Sequence, residues 1–328
     1  MRKKLVLTTI IAILLFSLTP ARIVVAQDIP ATTGVDLDPT NLDFGLVNDS
    51  EVWLKSGTQL FYSLDAGKQW RKINPETNLI EPYMLVSFPE PDLGFSLYLT
   101  QTETTIELEM HKTTNQGESW SQIEGDLEMQ LKQQFSQPFG DIQMQWLDKK
   151  NAFILVKEFT SSNFSIGTLF VTKDGGKNWG TREVPVAEKF VFLDDNVGFM
   201  LNPVDSQSLY RTLDGGKSWT LLELALPESL KTTLFEVQLP FNLENKSVYL
   251  PVKVMDEEAQ GVDFLVQINA KAAPKSMISR ESLNIIPILP HSAQKQPSSR
   301  AEGQISIIET QDAQDLWVGM TGGECQSL

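Results

Sequence analysis

Few side chains in this sequence can move a proton near neutral pH. There are two histidines, His111 and His291, and one cysteine, Cys325, against 42 acidic residues. Nucleophilic catalysis needs a base beside its serine or cysteine. The strand-turn-helix elbow Gly-x-Ser-x-Gly does not occur. His111 stands directly before a glycine turn, where a strand should end, and His291 sits in a polar run that reads as linker. Metal binding needs clustered His, Cys or carboxylates. The densest acidic runs, Asp194-Asp195 and Asp256-Glu257-Glu258, hold neighbours that point to opposite faces of a strand, so both read as solvated turns. No catalytic residue, cofactor site or metal site is assigned. A single cysteine also excludes an internal disulfide.

The residues with meaningful spacing are structural. One turn recurs four times with the pattern Ser/Thr-x-Asp/Asn-x-Gly-x-x-Trp. The copies are Ser63, Asp65, Gly67 and Trp70; Thr113, Asn115, Gly117 and Trp120; Thr172, Asp174, Gly176 and Trp179; and Thr212, Asp214, Gly216 and Trp219. Glycine reaches positive φ without steric cost. The Asp or Asn and the hydroxyl satisfy the turn's own amides. The Trp starts the next strand and buries a large ring. Four of the chain's seven Trp residues are used this way. Copies one and two place Ala66 and Gln116 where copies three and four have a first glycine.

A second signature runs alongside, an acidic residue or Asn followed five positions later by an aromatic. It appears as Asn48/Trp53, Glu90/Phe95, Asp148/Phe153, Asp194/Phe199, Glu244/Tyr249 and Asp312/Trp317. Apolar runs flank each pair, which reads as strand, polar turn, strand. Together the two signatures define a unit of four short antiparallel strands, the blade of a propeller. The units span 41–74, 83–124, 141–184, 188–223 and 233–270, with a partial unit at 305–328 and a flexible linker at 291–304. The fifth unit lacks the turn motif, with Asn269 near its place. Asp126 to Phe135 reads as a short inter-blade helix or loop, with Leu127, Leu131 and Phe135 at helical spacing and Asp126 in position to cap a helix. The fold class is an all-β propeller of four-stranded antiparallel blades, six or seven in number, the last incomplete. Trp146 stands outside the periodicity and is the aromatic with the best claim to a local role.

The turn pattern resembles the Asp-box, or BNR, repeat of β-propellers. Its Asp-Gly-Gly-Lys-x-Trp form is similar to exported propellers of the photosystem II assembly and stability factor kind, in the wider WD40/YVTN/BNR-like group. The resemblance implies that Asp65, Asn115, Asp174 and Asp214 are folding elements joining the third and fourth strands of a blade. Sialidases share such boxes, and in them three arginines bind the sugar carboxylate beside a Tyr nucleophile. Here Arg71, Arg182, Arg211, Arg280 and Arg300 are the arginines beyond the leader, none in an Arg-Ile-Pro segment, and Arg71 and Arg211 flank boxes.

The first 26 residues differ from the rest. Arg2, Lys3 and Lys4 precede the apolar stretch Leu5 to Leu18, and Ala26 offers a small residue at the exit. This is the pattern of a secretory signal peptide, too short for a membrane span. Cleavage after Ala26 leaves 27–40 as an extension. No Cys stands at the cleavage point, so no lipid anchor is expected, and no later segment is apolar enough to span a membrane. The full chain has a net charge of −15. Losing the leader's four basic residues deepens it to −19, which disfavours nucleic acid and anionic lipid. The sequence thus points to a secreted or cell-surface monomer that binds a protein or glycan, as a non-enzymatic binding or assembly-scaffold propeller. The alternative is a secreted carbohydrate-active hydrolase, sialidase-like or another glycosidase.

Overall fold

The structure is a computed structural model and describes residues 24–25, 42–135, 138–158, 165–223, 234–242, 248–255, 261–272, 286–288, 304–309 and 316–321. The leader apart from Val24–Val25, the 27–40 extension, linker residues 291–303 with His291, the Asp256-Glu257-Glu258 run and Cys325 lie outside the described residues. The chain divides into two compact units, one of Met1–Asn74 with His291–Leu328 and one of Pro75–Pro290.

In the first unit, β1 is Val24–Val25. It is followed by β2 (Leu42–Leu46), β3 (Val52–Ser56), β4 (Gln59–Ser63) and β5 (Arg71–Lys72), which form blade one in that order. The second unit begins with blade two, β6 (Tyr83–Ser87), β7 (Gly94–Gln101), β8 (Ile106–Thr113) and β9 (Ser121–Gln122). The helix α1 (Leu127–Gln134) leads into blade three, β10 (Phe139–Trp146), β11 (Ala152–Glu158), β12 (Gly167–Thr172) and β13 (Gly180–Glu183). Blade four is β14 (Phe190–Phe192), β15 (Gly198–Leu201), β16 (Ser208–Thr212) and β17 (Thr220–Glu223). Blade five is β18 (Leu234–Val237), β19 (Phe241–Asn242), β20 (Val248–Met255), β21 (Gly261–Ile268) and β22 (Ile286–Ile288). There β18 and β19 both pair with β20, so the first strand is split in two.

These antiparallel meanders are the blades of an all-β propeller. Five are seen among the described residues, where the sequence suggested six or seven. The remaining strands of the first unit, β23 (Gln304–Glu309) and β24 (Leu316–Thr321), join β1 in a sheet of three strands. The strand that completes it, Val24↔Ile307 and Val25↔Ser306, comes from inside the expected leader, not from 27–40. Cleavage after Ala26 would remove that strand.

The interior of the second unit follows from strand alternation. In β7, Phe95, Leu97 and Leu99 point to one face and join β8, β10, β11, β12 and α1 in a single apolar cluster. The run Ala152 to Val156 is buried on both faces, because blade three has neighbours on both sides. Its second face, Phe153 and Leu155, packs with Phe190, Phe192 and Met200 of blade four. Phe199 and Leu209 of blade four pack with Phe235, Leu250 and Val266 of blade five.

Side-chain amides stitch neighbouring blades. The Gln145 amide accepts from Phe192 N–H at 2.7 Å and donates to Phe192 C=O at 2.9 Å. Gln101 does the same to Phe139, at 3.1 and 3.0 Å. Each glutamine thereby replaces one peptide group of a missing strand. α1 buries Leu127 and Leu131, as its helical spacing predicted. Asp126 does not cap it through its side chain, however. Its Oδ1 instead accepts the backbone N–H of Trp179 at 2.8 Å.

Candidate functional site

The four boxes are built alike. In each, the Ser or Thr hydroxyl, 1 % exposed in all four, donates to the Asp or Asn side-chain oxygen two residues on, at 2.8–2.9 Å. The same hydroxyl oxygen accepts the glycine N–H, at 2.8 Å for Gly67, 2.9 Å for Gly117, 3.1 Å for Gly176 and 2.7 Å for Gly216. The carboxylate or amide then accepts the N–H of the residue before the Trp: Gln69, Ser119, Asn178 or Ser218. Asn115 therefore performs the task of the aspartates without charge. Each box also donates one backbone N–H to the turn between the first two strands of its own blade. The pairs are Ala66 to Ser50, Gln116 to Asp92, Gly175 to Lys150 and Gly215 to Asn196. Three residues of the second signature hold those turns: Asn48, Asp148 and Asp194 each accept two following amides through their side chains. The two signatures are thus one bonded edge. In blade five, Asn269 accepts Lys271 N–H but closes no box.

The Trp does not start the next strand; pairing begins one residue later, at Arg71, Ser121, Gly180 and Thr220. Only Trp179 is fully buried, and Trp70, Trp120 and Trp219 are half-buried. Each of the last three box rings in turn meets an aromatic at the end of its own blade's first strand, edge-on. Trp120 meets Phe88 at 6.3 Å, Trp179 meets Trp146 at 6.3 Å, and Trp219 meets Phe192 at 6.1 Å. Trp146 and Phe192 each also stack flat on the second-strand aromatic of the preceding blade. Phe95 lies on Trp146 at 3.6 Å and Phe153 on Phe192 at 3.5 Å. Trp146 is therefore not a local exception. It occupies the place of Phe88 and Phe192, in a repeat that spacing within one blade does not reveal.

The boxes have no spare chemistry. Hydrogen bonds from the Asn178 side chain and backbone lower the Asp174 carboxyl to about 2. Burial pushes Asp214 up, but the Ser218 hydroxyl and amide outweigh it and lower that group to about 2 as well. Both carboxyls are acceptors saturated by their own turns and cannot serve as general acids at neutral pH. Because the folded values lie below the unfolded value of about 3.9, the native state binds these protons less tightly. Their stabilisation is complete above about pH 4 and is lost as pH falls towards 2. Urea midpoints measured at several pH values should fall across this window. The double variant Asp174→Asn, Asp214→Asn, which copies Asn115, should fall less steeply.

Ala66 and Gln116 occupy the first-glycine position with φ of 56° and 58°, where Gly175 and Gly215 have 80° and 73°. A side chain there costs about 1–2 kcal/mol. Gln116→Gly should therefore raise stability by up to about 1 kcal/mol after the added chain entropy is counted. A lower urea midpoint would contradict this.

His111 lies near the end of β8, 7 % exposed, edge-on to Tyr98 at 5.9 Å. Burial lowers its pKa, and nearby Glu109 opposes this. Among the described residues no group of three or more His, Cys, Asp or Glu is placed to hold a metal ion, and no helix is long and apolar enough to cross a membrane.

No family profile matches the chain, and no curated protein matches it. Several solved structures are similar. YCF48 bound to a D1 peptide is 14 % identical with a TM-score of 0.43, over 90 % of this chain and 96 % of that one. YCF48 from Cyanidioschyzon merolae is 14 % identical with a TM-score of 0.41, over 86 % and 79 %. An ancestral GH74 enzyme is 13 % identical with a TM-score of 0.39, over 87 % of this chain and 37 % of that one.

Proposed function

We propose that the chain is an exported, non-enzymatic propeller that binds another protein and acts as a binding or assembly scaffold. The leader pattern supports export, and the β23–β24 hairpin, which remains after cleavage at Ala26, is taken as part of a sixth, incomplete blade. The observation behind the binding role is where the second unit leaves apolar side chains uncovered. Its boxes and first-to-second-strand turns share one end of each blade. Ile80, Ile166 and Val204 are exposed at the other end, in second-to-third-strand turns and the connector that enters blade two. Ile80 is 81 % and Val204 90 % exposed. Such residues gathered at one end favour a protein contact over a solvated surface.

The test is comparative. Ile80→Ser with Val204→Ser should weaken capture of a co-purifying protein, while Leu213→Ser with Leu221→Ser, exposed elsewhere in blade four, should not. Release of sugar reducing ends from a polysaccharide panel would overturn the scaffold reading in favour of the carbohydrate-active hydrolase. Intact mass of the secreted protein, with loss of residues 1–26, checks export.

A further inference from the structure

Two bonds in the leader fit removal by a signal peptidase. The apolar stretch Leu5 to Leu18 is followed by Thr19-Pro20-Ala21, and then by Arg22, Ile23 and Val24-Val25-Ala26. Each triplet ends in alanine, with a residue no larger than valine two positions earlier, the small-residue pattern of a cleavage site. Pro20 is a helix breaker and stands between the apolar stretch and the first of these bonds. The sequence by itself does not choose between them.

The fold separates the two. Val24 and Val25 form β1, antiparallel to β23, with Val24 opposite Ile307 and Val25 opposite Ser306. β24 runs along the other side of β23 and pairs with all six of its residues. β1 therefore lies on the edge of β23 that β24 leaves open. Such an edge is a row of unpaired N–H and C=O groups, which proteins guard with charges, proline or another strand. β23 reads Gln-Ile-Ser-Ile-Ile-Glu, with neither lysine nor proline. Its guard among the described residues is β1, made of two β-branched residues of the kind that strands favour. A cut after Ala26 strips this strand from the edge. A cut after Ala21 keeps it, with Arg22 and Ile23 ahead of it. A segment lost at export has no place in the folded sheet of the exported protein.

We propose that the leader is removed between Ala21 and Arg22, and that Val24–Val25 stays as the strand covering β23. Hydrolysis adds one water across that peptide bond, leaving the Ala21 carboxylate on the leader and a new amino group on Arg22. The proposal rests on the export reading and changes only the bond that is cut.

The full chain is expressed with its own leader, and the exported protein is read by intact mass and N-terminal sequencing. A chain beginning at Arg22 is expected. A chain beginning at Gln27 overturns the proposal and leaves export standing, whereas an uncut chain beginning at Met1 overturns both. Ala26→Phe, which spoils only the second site, should still be processed, and accumulation of its precursor overturns the proposal. The strand is tested in the same exported protein. Neighbouring strand residues turn their N–H groups to opposite sides, so either Val24→Pro or Val25→Pro removes a donor facing β23. That variant should speed amide exchange across Gln304–Glu309 and lower Tm by about 4 °C. A cut after Ala26 would discard both substitutions, so two exported variants identical to wild type overturn the proposal.

Discussion

Trp146→Ala should lower the stability of the second unit by about 3–5 kcal/mol, the range for large aromatics removed from a packed interior. For a unit of this size that is a fall of roughly 10 °C in Tm. The ring is 3 % exposed and lies between blades two and three, flat on Phe95 and edge-on to Trp179. Truncation would leave both partners facing a void, and Gly176 would lose the ring that closes its turn, 3.3 Å from where a Cβ would stand. Trp146→Phe should cost less than half as much, because Phe88 and Phe192 do the same work in blades two and four. Denaturant unfolding followed by near-ultraviolet circular dichroism reads both variants. An alanine variant within about 1 kcal/mol of wild type would mean that the stack is not a structural element.

Gly125→Ala should be the most damaging single-methyl addition, at about 3 kcal/mol. The connector between blades two and three presses on the third box: a Cβ at Gly125 would overlap the carbonyl oxygen of Gly176. That oxygen already accepts the Trp179 indole N–H at 3.0 Å, while Asp126 N–H donates to Lys177 C=O and the Asp126 carboxylate accepts Trp179 N–H. Backbone meets backbone, so no rotamer change relieves the clash, and either the box or the entry to α1 must shift. Gly180→Ala supplies the contrast. A Cβ there meets nothing within 4 Å, and its φ is not positive. It should be neutral or slightly stabilising. Equal loss in the two variants would show that glycine flexibility, and not the contact, is what matters at Gly125.

These two expectations mark where the sequence stops being sufficient. The box turns were legible from residue type alone, because their side-chain hydrogen bonds run between residues at most four apart. Hydroxyl, carboxylate, glycine and ring are local requirements, and Asn115 could be assigned the same role from its acceptor oxygen. Strand alternation in β7 and the amphipathic spacing of Leu127 and Leu131 were legible for the same reason.

What the sequence could not settle depends on which blade neighbours which. Trp146 looked like an outlier because its equivalents, Phe88 and Phe192, are phenylalanines on first strands of different length. Only the edge-on contact that each makes with its own blade's box Trp reveals them as one position. Asp126 looked like a cap because a cap is the nearest use of a carboxylate before a helix. Its bond runs instead to Trp179, 53 residues away. Gln101 and Gln145 reach 38 and 47 residues and had no local signal at all. The blade number was not legible for a related reason: counting motifs fixes neither how many sheets reach four strands nor which strand completes the last, and five four-stranded blades are seen among the described residues. The sequence by itself determined the turns and the blade, since hydrogen bonds within a few residues are set by chemistry and short-range geometry. Only the tertiary structure decided the inter-blade stacks and the grip of Gly125 and Asp126 on the third box, since those depend on contacts between segments far apart along the chain.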